Sequence, residues 1–260
     1  MIDYIIYLLS IYKSGINYLI IFIAMNMNNK KTFLFLHGYI QSGHIFETRL
    51  KNMTKKLTKK YTKTQFEFLF PDAPVVLPEQ TVPGETQRGW MQIEGKAEDF
   101  LKMEKANYLG MSESIKEIYK IGETNQNIEC IFGFSQGAEM LMFLVLLSLY
   151  KGGEYDLKKY FPNLKCIVFV AGFYRPIPKN EEFTSFADEL MKEECKKCDI
   201  PSLHVYGLSD ALLDCSRSKE ILKFFTCYEE FPHNGKHFVP SGKADIEKFE
   251  AYFEKYLNLQ

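Results

Sequence analysis

The stretch Ile131-Phe132-Gly133-Phe134-Ser135-Gln136-Gly137-Ala138 limits what this chain can fold into more than any other. It is a GxSxG pattern with a short apolar run before it, Ile128–Phe132, and a long apolar run after it, Gln136–Tyr150. The first reads as a buried strand and the second as a buried helix. A chain that passes from strand to helix over one serine must turn sharply. Glycines two positions either side let the two elements approach closely. The hydroxyl of Ser135 would then stand at the carboxyl edge of a sheet, facing the N–H groups that the helix leaves unpaired in its first turn. Outside that setting the pattern carries little; here both flanks fit.

The rest of the chain supplies the sheet. Thr32–His37 is a short apolar, aromatic run and is predicted as a strand, with an amphipathic helix from Ser42 onward marked by Ile45, Phe46, Leu50, Met53 and Leu57. Phe66–Phe70, Leu164–Val170, Pro201–Tyr206 and Cys227–Phe231 are the further predicted strands. Lys105–Gly122, Ser216–Phe225 and Ile246–Leu257 are the further predicted helices, and Lys179–Lys197 reads as a charged helical excursion. Between Asp72 and Gly95 lies a long irregular stretch with three prolines and two glycines before its end, a length at which loops are usually functional. Strands that are continuous apolar runs alternating with helices imply a mostly parallel sheet covered on both faces. No internal repeat or interdomain linker interrupts the pattern.

Composition excludes several alternatives. With 46% apolar residues the chain is too apolar for disorder, and its net charge of −1 leaves no electrostatic footprint for nucleic acid. Six cysteines in 260 residues are too sparse for a disulfide scaffold. Cys195-Lys196-Lys197-Cys198 is a CxxC, but no second CxxC or histidine pair sits at zinc-ligand spacing. It reads as two surface cysteines in a charged helix.

Residues 1–25 contain nineteen apolar residues in two runs flanking Lys13. A cleaved signal peptide requires a basic start, and here the start carries Asp3 and no base. Two readings survive: a membrane segment, or an upstream extension with the working protein starting at Met25 or Met27. If the segment spans, Lys30 and Lys31 after it leave the main domain in the cytosol. Both readings place the chemistry in the cytoplasm. The expected organisation is an apolar extension over residues 1–27 and one catalytic domain over residues 28–260.

Serine is a poor nucleophile at neutral pH and requires a base, which in turn requires an orienting group. On an α/β-hydrolase fold these follow in the order serine, acid, histidine. Of the five histidines, His204, His233 and His237 follow Ser135. His204 lies inside a predicted strand and reads as a core residue; His233 and His237 share the loop after the last strand, and spacing favours neither. Asp210 follows the strand ending at Tyr206, where the orienting carboxylate belongs. Its rival Asp214 reads as a helix N-cap. An oxyanion hole requires two backbone N–H donors, expected from Gln136 and from Tyr39 in the loop after the first strand. His37 is then a loop-shaping residue.

These segments resemble the FSH serine hydrolases. His37-Gly38-Tyr39-Ile40-Gln41-Ser42-Gly43 is similar to that family's HGxxQxG segment, Pro71-Asp72-Ala73-Pro74 to its DAP loop and Arg88-Gly89-Trp90 to its RxW segment. The elbow around Ser135, Ala171-Gly172-Phe173, Gly207-Leu208-Ser209-Asp210 and His237-Phe238-Val239-Pro240 follow in the family's order, from about Thr32 to Leu257. The resemblance implies an α/β-hydrolase fold: a mostly parallel central sheet, helices on both faces and a short helical excursion after the sixth strand. It aligns the base with His237 and leaves His233 as a structural neighbour. It implies a serine hydrolase cleaving small-molecule acyl esters or thioesters through Ser135, Asp210 and His237, with no metal or organic cofactor. An acyl-protein-thioesterase-like hydrolase and a catalytically silent binding module are the alternatives. The chain departs from the pattern at Lys236, where the family has a glycine, and at Glu139, where it has a small residue. If the first position needs a positive φ, lysine strains it; the second faces solvent or sits near the serine. Val75–Pro83 and Phe183–Leu190 are expected to line an apolar acyl cleft.

Overall fold

The computed structural model describes residues 30–78, 84–93, 105–174, 177–178 and 195–260. The N-terminal extension, the charged excursion up to Glu194, and Phe183–Leu190 lie outside the described residues.

Six strands form the central sheet: β1 (Lys30–Leu36), β2 (Gln65–Leu69), β3 (Ile128–Phe134), β4 (Cys166–Val170), β5 (Ser202–Gly207) and β6 (Tyr228–His233). Their spatial order is β6-β5-β4-β3-β1-β2, and every pairing is parallel. Among the described residues the longer helices beside the sheet are α1 (Gly43–Lys60), α2 (Met111–Thr124), α3 (Gln136–Tyr150), α4 (Cys215–Glu220) and α5 (Lys243–Leu257), and a single helical turn covers Leu157–Tyr160.

The strand side chains alternate between two cores, as a period of two requires. Leu34, Leu36, Ile131, Ile167 and Phe169 pack with α2 and α3 on one face. Phe33, Phe35, Phe132, Val168 and Val170 pack with α1 and α5 on the other. Each phenylalanine fully removed from water contributes about 1.5–3 kcal/mol. Helix α3 is buried from Gln136 to Leu147, which accounts for its lack of a polar face. Helix α1 is capped by Ser42, whose hydroxyl accepts from Ile45 N–H at 3.1 Å.

Strand order reverses between β2-β1 and the run from β3 to β6, so the loops after β1 and β3 diverge at the carboxyl edge between them. Open parallel sheets bind ligands at such a switch point.

Three expectations are corrected. The helix read from Lys105 starts at Met111, because Gly110 takes φ +77° and residues before it are extended, with Tyr108–Leu109 pairing Gln92–Ile93. Leu109, inside the predicted helix, is therefore exposed. Ser216–Phe225 is not one helix: α4 ends at Glu220 and a tighter 3-10 turn covers Ile221–Phe224. Cys195–Cys198 is not helical either; Cys198 is buried and bridges Phe225.

Candidate active site

Ser135 sits between β3 and α3 at φ +51° and ψ −115°, a conformation that a side-chain-bearing residue adopts only under constraint. Its neighbours supply the constraint. Ser135 N–H donates to Val170 O at the end of β4 (2.9 Å), and Ser135 O accepts from Glu139 N–H (2.9 Å). The flanking glycines are required by close approach. A Cβ on Gly133 would lie 2.6 Å from Ala138 Cα, and one on Gly137 would lie 2.1 Å from Leu36 O.

The structure brings His237 and Asp210 to this serine. His237 Nε2 lies 2.8 Å from Ser135 Oγ, and His237 Nδ1 lies 2.7 Å from Asp210 Oδ2. A neutral imidazole that donates from Nδ1 to the carboxylate presents Nε2 as an acceptor for the serine proton. The Asp210 side chain is 2% exposed. Its other oxygen accepts the N–H groups of Leu212 (2.9 Å) and Leu213 (3.0 Å), so the carboxylate cannot rotate away. The two loops carrying acid and base are joined to each other. Leu208 N–H donates to His233 O, and Ser209 N–H donates to Gly235 O. The base loop lies so close on the end of β5 that a Cβ on Gly207 would meet Gly235 O and Lys236 O at 2.6 Å.

The loop after β1 passes beside the nucleophile. A Cβ built on Gly38 would be 3.4 Å from Ser135 Cβ. This places the Gly38-Tyr39 peptide next to Ser135, at the start of α3. The side chain of Gln136 is pinned as well, its Oε1 accepting from Trp90 N–H and its Nε2 donating to Met91 O, both at 2.8 Å.

The DAP and RxW segments brace that loop, a role that the sequence did not reveal. Ala73 N–H donates to His37 Nε2 (3.1 Å), and His37 Nδ1 donates to Gly38 O (2.8 Å). Since Ala73 N–H can only donate, His37 is held as one neutral tautomer, and burial pushes its pKa down. Asp72 Oδ1 accepts from Gly43 N–H (2.8 Å), and the Arg88 guanidinium bonds Ala73 O (3.1 Å) and lies 3.3 Å from Asp72 Oδ2. The Arg88 backbone pairs with Gln41 O and Ile40 N–H, and Trp90 Nε1 donates to His37 O (2.8 Å). The available signal was a run of hydrogen-bonding residues spread through two loops.

The remaining sequence candidates fall elsewhere. His204 is buried in β5, stacked on Phe169 with centroids 5.0 Å apart, and burial lowers its pKa to about 3. Asp214 caps α4, accepting from Ser216 N–H at 2.9 Å. His233 accepts from Gly235 N–H (3.2 Å), and its rings contact Phe231 and Phe238, not Ser135. Lys236 does not adopt a positive φ, so the feared strain is absent there. Glu139 is fully buried, which overturns the solvent-facing option. Val76, in the stretch expected to line an acyl cleft, is exposed in a two-residue ladder with Arg88. A cleft of about 570 Å³ beside it is lined mainly by polar residues, including Ser42, His44, Asp72, Glu85 and Arg88. Among the described residues no group of three or more His, Cys, Asp or Glu side chains is arranged to hold a metal ion. Nor, among the described residues, is any helix long and apolar enough to cross a membrane.

A parallel α/β sheet with helices on both faces and a strained serine between strand and helix defines the α/β-hydrolase fold. Solved structures share it: Arabidopsis thaliana SOBER1 matches with a TM-score of 0.54 at 21% identity, covering 87% of this chain and 98% of that one. A Bacillus cereus carboxylesterase matches with a TM-score of 0.52 at 15% identity, over 88% and 89% of the two chains. Residues 25–249 match the family model described as serine hydrolase (FSH1), and the chain belongs to that family. Its relatives include the protein named esterase OVCA2 of Danio rerio, 29% identical over 86% of this chain and 96% of that protein. Another, named esterase C25G4.2 of Caenorhabditis elegans, is 28% identical over 90% of this chain and 97% of that protein.

Proposed function

We propose that this enzyme hydrolyses carboxylic esters or thioesters through a covalent acyl-serine, with Ser135 as nucleophile, His237 as general base and acid, and Asp210 as its orienting group. The observation that carries the reading is the continuous chain of contacts Ser135 Oγ–His237 Nε2 (2.8 Å) and His237 Nδ1–Asp210 Oδ2 (2.7 Å). Family membership and the esterase names of relatives support it.

The chemistry follows from these positions. Ser135 Oγ passes its proton to His237 Nε2 as the Oγ–C bond forms at the substrate carbonyl. The oxygen that becomes negative accepts from the N–H groups of Tyr39 and Gln136, which gain most when charge has developed. His237 then gives the proton to the leaving oxygen or sulfur as the C–O or C–S bond breaks. Water repeats the sequence on the acyl-serine, losing its proton to His237, and Ser135 Oγ leaves with that proton while the acid departs. Asp210 holds the imidazole and stabilises its cation without being protonated.

A fluorophosphonate probe tests the reading. It should label the wild type stoichiometrically and leave Ser135→Ala unlabelled. Equal labelling of both would remove Ser135 from the role.

A further inference from the structure

Resting on that reading of the triad, we infer that the enzyme selects esters by an apolar alcohol half, held against Leu208, Leu212 and Phe238. Most proteins expose single apolar side chains without consequence. These three differ in where they are. Leu208 (53% exposed) and Leu212 (79%) flank Asp210 on the loop after β5, and Phe238 (47%) follows His237 directly. The loops are fixed: Leu208 N–H bonds His233 O, Ser209 N–H bonds Gly235 O, and Leu212 N–H bonds the Asp210 carboxylate. The Phe238 ring rests against His233 with centroids 5.2 Å apart. An apolar group meeting them finds a surface already ordered, which reduces the entropy cost of binding.

The direction of the chemistry assigns the half. His237 Nε2 must reach the leaving oxygen to protonate it, so the substituent on that oxygen lies along the acid and base loops. The carbonyl oxygen turns the opposite way, to Tyr39 and Gln136. Apolar side chains exposed on the His237 side therefore meet the alcohol and not the acid.

The test is a series of butyrate esters of linear alcohols from methanol to octanol, kept below their micelle concentrations. It is run beside a series of ethyl esters of linear acids, on the wild type and on Leu212→Ser, Leu208→Ser and Phe238→Ser. A methylene removed from water is worth about fourfold when fully buried, and about twofold on an open patch. The wild type should gain about two- to fourfold in kcat/KM per alcohol methylene. Leu212→Ser, the most exposed of the three, should flatten that slope while the chain-length slope of the acid series stays the same. A flat alcohol series in the wild type overturns the inference. So does a slope unchanged in all three variants, or one that appears only above the micelle concentration. Turnover of these esters by Ser135→Ala at the wild-type rate would instead overturn the triad reading.

Discussion

Asp210 does two things at once. One oxygen faces His237 Nδ1 and the other ties down the N–H groups of Leu212 and Leu213. Asp210→Asn would keep the size of the group, but its amide nitrogen can turn toward His237 and favour the wrong tautomer. The expected result is a kcat about 10³–10⁴-fold lower with little change in thermal stability, as triads elsewhere respond. Steady-state kinetics and a thermal melt check both halves. At this scale the three residues that the structure brings together, Ser135, His237 and Asp210, could be picked out in sequence because each lies in a short motif beside a strand end. His237 and His233 were not separable by spacing: only four positions separate them, and the structure puts His233 at the end of β6 and His237 in the loop after it. Only geometry shows that His233 faces Gly235 and Phe238. Glu139 was equally undecidable, because helix α3 has no polar face against which a periodicity could be read.

At the scale of elements, the loop after β1 is positioned by segments far away in sequence. Arg88 bonds Ala73 and pairs with Asp72, and Asp72 in turn holds Gly43. Arg88→Gln should loosen the Gly38-Tyr39 peptide and lower kcat by about 10- to 100-fold with KM little changed, because misplaced donors fail mainly in the transition state. A kcat loss matched by an equal rise in KM would argue against this role. Strand β5 carries a pH effect. His204 titrates at about 3 in the folded protein against 6.5 when free of burial. Between those values the unfolded chain binds the extra proton, so its contribution to stability is complete above pH 6.5 and is lost as pH falls toward 3. Urea unfolding should show stability falling by up to about 1.4 kcal/mol per pH unit from this group, and His204→Phe should lack that slope. Element positions were legible where apolar periodicity was strong, as in β1, β3 and α3. They were missed around Lys105–Leu109, where two-residue ladders hold the chain through pairing with distant partners and leave no local pattern.

For the whole molecule, alternating apolar strands already implied a parallel sheet between two helical layers, and the two cores realise it. The strand order was not in the pattern, because pairing depends on crossovers and not on composition. All six cysteines are free thiols, with Cys130, Cys166 and Cys198 buried and Cys227 exposed. A thiol reagent should modify Cys227 first in the folded protein and reach the three buried thiols only after denaturation. Rapid reaction of all six would mean that the cores are not packed as described. The central claim is that one serine at the switch point of this sheet carries the acyl group. Its most direct measurement is peptide mass mapping of the enzyme quenched during turnover of an activated ester. The account predicts a single acyl increment on the peptide containing Ser135, absent in Ser135→Ala. An increment on another residue, or turnover that persists in Ser135→Ala, would contradict it.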